Sequence, residues 1–241
     1  MNGIFPADLA VYLLFTPIVN YLFFAHRWTG FLPWYYLSVF CLARIVGGGL
    51  GVHDSNGLPA NIIQSVGITP LILAIDGLAH EARCYRHPSH NRTLGWSVVI
   101  GTSGLMIAAL ALSISGSLNI FEGTPKSDSL TEWKAGTVLI LVTWVLQIIW
   151  SLFSLISSQG EKDAPGYHGG TALLQGALVA LAFVGIRVIY GVIAVFTQKR
   201  DLSPVYGTTA VRVVLMFLPE VLATMTIIAV GLRTRHIRHV K

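Results

Sequence analysis

The most informative stretch of the chain is Cys41-Leu-Ala-Arg-Ile-Val-Gly-Gly-Gly-Leu-Gly-Val-His-Asp54. It places Arg44 inside an apolar run and follows it with four glycines between Gly47 and Gly51. Such a sequence would make a poor helix in water. In a membrane, small residues let helices approach closely, and a charge must find a partner in the bundle interior. The stretch therefore predicts a transmembrane helix whose neighbours surround Arg44.

The composition is that of a polytopic membrane protein. Of 241 residues, 54% are hydrophobic and only 11% are charged, whereas soluble domains carry about 25% charged residues. Seven apolar segments with short connections are each long enough to cross a hydrocarbon core of about 30 Å. They are Leu9–Phe24, Phe31–Val52, Leu58–Ala82, Gly95–Ile120, Trp133–Ser157, Thr171–Phe196 and Thr208–Leu232. We predict an all-α integral membrane bundle of seven transmembrane helices, a single domain over residues 1–241.

The basic residues predict orientation and partners. The net charge is +5, but Lys and Arg are scattered at the ends of the predicted spans. This pattern favours membrane lipids as partners and argues against nucleic acid. One side holds nine of them, at positions 27, 83, 86, 92, 162, 233, 235, 238 and 241, and the other holds four, at 126, 134, 199 and 200. The positive-inside rule then predicts a lumenal N-terminus and a cytosolic C-terminus, with the endoplasmic reticulum as the expected membrane. The oligomeric state is not predicted.

Two stretches carry a family resemblance. Phe40-Cys-Leu-Ala-Arg-Ile-Val-Gly-Gly48 and Val66-Gly-Ile-Thr-Pro-Leu-Ile-Leu73 resemble a fungal family of uncharacterised seven-span integral membrane proteins, and the similarity covers most of the chain. This resemblance implies a fold and a membrane setting but no activity. In size and architecture only, the chain is also similar to small fungal membrane-bound terpene and meroterpenoid cyclases. Those enzymes carry acids on their third and last spans, where this chain has Asp76 and Glu220, without a local motif match.

Ionisable residues inside the predicted spans are the candidates for chemistry. A charge at the bilayer centre costs about 2.5–3.5 kcal/mol, so each should face the interior and be paired. A carboxyl in a dry cavity can keep its proton and deliver it to an epoxide or alkene, and a second carboxylate can take one back. We therefore expect Glu220 and Asp76 to be catalytic, as proton donor and acceptor in an order left open. The alternative is a purely structural ion pair, for example of Glu220 with Arg44 or Arg187.

Helical spacing and aromatic content suggest which residues bind a substrate. At 100° per residue, Asn61, Gln64 and Asp76 fall within about 120° of one another, although Pro70 lies between them. Aromatic faces on the fifth and sixth spans would stabilise a carbocation, but such residues also serve as packing or interface anchors. The predicted substrate-binding residues are Arg44, Asn61, Gln64, Trp144, Gln147, Arg187, Tyr190 and Arg212.

These observations lead to one expected function and two alternatives. We expect a membrane-bound cyclase of fungal secondary metabolism that performs acid-catalysed cyclisation of a prenylated or epoxidised isoprenoid or meroterpenoid. No lysine lies deep in a span, no aspartate-rich diphosphate–magnesium motif occurs, and the histidine pairs are isolated, so we expect no cofactor and no metal. The alternatives are a seven-helix receptor or sensor for an apolar ligand and a small-molecule transporter.

Overall fold

The computed structural model describes residues 4–26, 30–54, 57–86, 92–121, 128–157, 166–199, 202–203 and 207–236. These residues form α-helices, one π-helical turn and short connections, and the described part of the chain contains no β-strand. The helices are α1 Ile4–Ala25, α2 Phe31–His53, α3 Leu58–Val66, α4 Ile68–Arg86, α5 Arg92–Phe121, α6 Ser129–Ser157, α7 Tyr167–Thr197, α8 Thr209–Arg212 and α9 Leu218–Thr234, with the π-helical turn at Val213–Phe217.

Seven helical spans in the structure are long and apolar enough to cross a membrane. This confirms the predicted all-α bundle. Helices α3 and α4 together form the third span, and α8, the π-helical turn and α9 form the last. We call the end of the bundle where α1 begins the N-side and the opposite end the C-side. Several basic residues used to predict orientation lie outside the described residues: Arg27, Lys126, Lys162, Arg200, Arg238 and Lys241.

The third span, rather than the helix that carries Arg44, is the centre of the bundle. Of an apolar 18-residue stretch of this span, 88% is buried inside the protein, against 39% of the corresponding stretch of α2. Helix α4 packs against α2, α5, α6, α7 and α9. Its segment Leu71–Ile75 is apolar on every side, and Leu71, Ile72, Ile75 and Leu78 are completely buried. A helix that is apolar on all sides is expected to lie inside a bundle.

The glycines of α2 hold that helix close to α1 and α3. A side chain at Gly48 would meet backbone atoms of α1, with the Leu9 nitrogen at 3.1 Å. Gly47 lies against Ile63 of α3, whereas Gly49 has no atom within 4 Å of the corresponding position. Helices α1, α2 and α3 therefore meet one turn after Arg44 along α2.

Two spans are interrupted close to a proline. The third span breaks at Gly67, three residues before Pro70, whose missing N–H removes the helical bond to the Val66 carbonyl. A Cβ at Gly67 would lie 3.2 Å from Arg44 Nη2, so the glycine leaves room for the guanidinium. The last span widens into the π-helical turn immediately before Leu218 and Pro219. Such turns are rare and occur frequently at functional sites.

Candidate functional site

Glu220 is the central carboxylate of the interior. It lies at the start of α9 and is completely buried. Its Oε2 forms a direct ion pair with Nη2 of Arg44 on α2. Its Oε1 accepts a hydrogen bond from Nε of Arg187 on α7 at 3.3 Å. Two guanidiniums therefore contact the carboxylate of Glu220, and these ion pairs join three helices around it.

Asp8 extends this group of charges to α1. Its Oδ2 lies 3.8 Å from Arg44 Nη1 and accepts a hydrogen bond from Gln64 Nε2 at 2.5 Å. Asp8 is not among the predicted site residues, because the first span was predicted to begin at Leu9. The sequence signal that identifies Asp8 is helical spacing. Asp8 lies three residues after Phe5 and four before Tyr12, and all three side chains face the interior.

Arg212 joins the same region from the last span. Its Nη2 donates to Asn61 Oδ1 at 3.2 Å and to Gln64 Oε1 at 2.8 Å. Its guanidinium also lies 5.6 Å from the centre of the Phe5 ring. The two amides of α3 thus bind Arg212, and Gln64 connects it to Asp8. Within the described residues, Arg212 forms no ion pair with a carboxylate.

We call Asp8, Arg44, Arg187, Arg212 and Glu220 the arginine network. Among the described residues it contains three guanidiniums and two carboxylates. The ring of Tyr190 lies beside it, 5.7 Å from the Arg187 guanidinium carbon, and the Tyr190 hydroxyl donates to the Leu202 carbonyl at 2.9 Å. The network and the two α3 amides that contact Arg212 bring together five of the eight predicted substrate-binding residues and one of the two predicted catalytic acids: Arg44, Asn61, Gln64, Arg187, Arg212 and Glu220.

Asp76 lies in a separate environment. It is 4% exposed, and its Oδ2 lies 2.6 Å from Oγ1 of Thr102 on α5. No ion pair or hydrogen bond in the described part of the chain joins it to Glu220, Asn61 or Gln64. The structure therefore divides the predicted polar stripe of the third span, because α3 faces the arginine network and Asp76 faces α5.

The geometry at Thr102 bears on the protonation of Asp76. Besides Asp76, Thr102 Oγ1 has the carbonyl oxygens of Val98 and Val99 at 3.0 Å. A hydroxyl carries one hydrogen. That hydrogen is donated to Asp76 Oδ2, the nearest acceptor at 2.6 Å, and is shared with the two carbonyls, so Asp76 receives at most one hydrogen bond from Thr102. The contacts described for Asp76 include no cation that would favour its ionised form.

The two predicted substrate-binding residues of α6, Trp144 and Gln147, make different contacts. Trp144 Nε1 donates to the Leu181 carbonyl at 2.9 Å, and its ring packs against Gly185, so Trp144 joins α6 to α7. Gln147 makes a long 3.5 Å contact from Nε2 to the Ile72 carbonyl, one helical turn before Asp76. Its Oε1 is buried without a hydrogen-bond partner among the described residues. Gln147 therefore belongs to the surroundings of Asp76.

A second buried charged group lies at the C-side. His26, directly after α1, contacts Glu81 Oε1 through Nδ1 at 2.7 Å and the Gly231 carbonyl through Nε2 at 3.1 Å. Both side chains are at most 1% exposed. The His26 ring packs on Trp34, and the Tyr85 hydroxyl donates to Glu81 Oε1 at 3.4 Å. We call this group the His26–Glu81 clasp; it joins the ends of α1 and α4 to α9.

Comparisons with known proteins identify a family but no activity. A family model described as a domain of unknown function, DUF7702, matches residues 1–237. No curated protein and no solved structure matches the chain.

Proposed function

The chain belongs to the DUF7702 family, and we propose that it is a membrane-embedded enzyme that cyclises an isoprenoid substrate by acid catalysis. The substrate class is a prenylated or epoxidised isoprenoid or meroterpenoid. Asp76 gives a proton to the epoxide oxygen, the C–O bond breaks, and the electron pair of an alkene forms the new carbon–carbon bond. Glu220 accepts the proton that the final carbocation releases. The proposed setting is the endoplasmic reticulum of a fungus, with the N-side in the lumen.

The hydrogen bond between Thr102 and Asp76 is the observation that carries this proposal. The Thr102 hydroxyl donates to Asp76 Oδ2 and is shared with two carbonyls of its own helix, so the contacts described for this buried carboxyl amount to one shared, neutral hydrogen bond. A buried carboxyl without a countercharge favours its neutral form. Asp76 therefore has the properties of a general acid in a membrane interior.

Glu220 has the opposite environment, and this contrast supports the division of roles. Two guanidiniums contact its carboxylate, whereas a single hydroxyl contacts that of Asp76. Pairs of titratable groups in opposed environments are typical of acid and base partners in enzymes. The proposal requires one isoprenoid chain to reach both groups. In this proposal Arg44 and Arg187 position Glu220, and Gln147 orients the substrate beside Asp76.

One feature favours a second candidate, a receptor or sensor for an apolar ligand. The arginine network connects α1, α2, α3 and α7 with the last span, where the π-helical turn separates Arg212 from Glu220. A ligand that binds one arrangement of these contacts better than another shifts the equilibrium between them. Ligand binding without turnover is the expected behaviour in that case.

The test is turnover of epoxidised isoprenoids by microsomes that express the protein. Because general acid catalysis contributes about 10²–10⁴-fold, Asp76→Asn should lower the rate by at least about 100-fold. Asp128→Asn, at an exposed position before α6, is the matched control and should keep the full rate. Full activity of Asp76→Asn contradicts the proposed chemistry. Saturable binding of the epoxide by the wild-type protein with no product favours the receptor.

A further inference from the structure

A small cavity lies between α4, α5, α6 and α7, beside the arginine network. Its volume is about 60 Å³, roughly that of two water molecules. Its polar lining consists of Arg187 and the hydroxyl residues Thr69, Ser113 and Thr137, and Trp133 and aliphatic side chains complete the wall. Four different helices therefore each contribute a polar side chain to the lining of one cavity.

Two of the three hydroxyls in the lining are buried and make no hydrogen bond within the described structure. Thr69 and Ser113 are 2% and 7% exposed, and neither hydroxyl has a partner among the described residues. Thr137 instead donates to the Trp133 carbonyl of its own helix at 2.9 Å. Buried hydroxyls without partners are uncommon in folded proteins. A ligand that accepts hydrogen bonds would satisfy both.

The guanidinium of Arg187 lies at the wall of the same cavity. A Cβ at Gly191, which also lines the cavity, would be 3.6 Å from Arg187 Nη1. Arg187 contacts Glu220 through Nε, so the cavity adjoins the arginine network directly. The lining thus combines a positive charge with two O–H donors.

The charge and the hydrogen-bonding groups of the lining decide which kind of ligand fits. The described lining residues include one guanidinium, that of Arg187, and no carboxylate. The hydroxyls of Thr69 and Ser113 can each donate one hydrogen bond. An anion accepts hydrogen bonds and is attracted by the guanidinium, so it fits this lining better than a neutral ligand or a cation.

We propose that this cavity binds a monovalent anionic group, either a small inorganic anion such as chloride or the carboxylate of an amphiphile whose tail lies among the helices. Arg187 supplies the charge, and Thr69 and Ser113 supply hydrogen bonds. The site shares Arg187 with the catalysis proposed above, whereas the proposed proton donor Asp76 and its partner Thr102 do not line it.

Thermal unfolding of the purified full chain in detergent tests the site. The protein is prepared with gluconate as the anion and titrated with chloride, bromide or decanoate at constant ionic strength, with decanol as the control for the tail. At ten times the half-saturating concentration, the Tm should rise by about 3–6 °C. A rise with chloride and bromide assigns an inorganic anion, and a rise with decanoate but not decanol assigns an amphiphile carboxylate. A Tm that does not depend on the anion overturns the proposal.

Variants then locate the effect. Thr69→Val combined with Ser113→Ala removes both donors and keeps every charge, so the half-saturating concentration should rise at least tenfold. The control combines Thr143→Val with Ser154→Ala, whose hydroxyls donate to carbonyls of α6 at 2.8 and 2.7 Å. The control should bind like the wild type. Equal affinity of the wild-type protein and the cavity variant places the anion elsewhere and overturns the proposed site.

Discussion

The arginine network and the His26–Glu81 clasp are two buried charged groups that respond differently to pH. Both join helices that are distant in sequence, and both are inaccessible to water. The cations of the network are guanidiniums, which stay protonated throughout the physiological range. The cation of the clasp is an imidazole, whose charge changes near neutral pH. Burial alone therefore does not ensure that a charge pair keeps its charge over the physiological pH range.

The surroundings of His26 determine when the clasp is intact. Burial lowers the pKa of His26, but the hydrogen bond and charge of Glu81 and the Gly231 carbonyl raise it by more, so its pKa lies above the ordinary value. Both ring nitrogens face acceptors, and only the doubly protonated ring can donate to both. The contribution of the clasp to stability is therefore full below about pH 6.5 and is lost as the pH rises through the raised pKa.

The largest effect is expected from removing the central carboxylate of the network. Glu220→Gln leaves Arg44 and Arg187 buried without their shared countercharge, and loss of one partner of a buried ion pair typically costs about 3–5 kcal/mol. The Tm of the detergent-solubilised protein should fall by roughly 6–20 °C. Because the arginines do not titrate, the loss should be the same at pH 6 and pH 8.

Glu132→Gln is the control for this variant. Glu132 lies in the first turn of α6, and its carboxylate accepts a hydrogen bond from the exposed Ser115 hydroxyl at 2.8 Å. Its loss should change the stability by no more than about 0.5 kcal/mol. Equal losses in the two variants would show that the ion pairs of Glu220 contribute no more than an exposed hydrogen bond.

A pH-dependent effect of intermediate size is expected at the clasp. His26→Gln keeps neutral hydrogen-bonding capacity but removes the charge, and a hydrogen bond to a charged group contributes about 1.5–3 kcal/mol. Between pH 5.5 and 8.5 the wild-type Tm should fall as His26 loses its proton, whereas the Tm of the variant should change less. The exposed His168 provides the control, since His168→Gln should keep the wild-type slope. If the Tm of the wild type and that of His26→Gln change with pH in parallel, the His26–Glu81 clasp is no more sensitive to pH than the arginine network.

Hydropathy and local spacing were sufficient to predict the seven spans, because crossing a membrane imposes a length and an apolar composition on each helix. They did not distinguish the two acids. Asp76 and Glu220 look alike in the sequence, and their difference arises from Thr102, Arg44 and Arg187 on other helices. Contacts between distant parts of the chain also explain why the His26–Glu81 pair, 55 residues apart, was not predicted. Asp8 was missed for a local reason, since the first span was predicted to begin at Leu9 and the helix begins at Ile4.

The smallest effect is expected from Gly48→Ala, which tests whether close packing of α1 against α2 maintains the arginine network. At Gly48 a methyl group would lie 3.1–3.2 Å from backbone and Cβ atoms of Leu9 and from the Phe5 carbonyl, so α1 must move outward. Because α1 carries Asp8 and α2 carries Arg44, this movement lengthens their 3.8 Å contact. After the gain in helix propensity is subtracted, we expect Gly48→Ala to cost about 1 kcal/mol, measured as a lower Tm.

Gly49→Ala is the matched control, since nothing lies within 4 Å of the added methyl group on the exposed face of the same helix. It should raise the stability by roughly 0.5–1 kcal/mol, because alanine restricts the unfolded chain more than glycine does. The sign of the difference between these neighbouring substitutions is the decisive result. If both raise the Tm, α1 and α2 tolerate separation, and the ion pair between Asp8 and Arg44 does not depend on the glycine contact. If they differ in sign, close packing at one glycine maintains a charge contact one helical turn away.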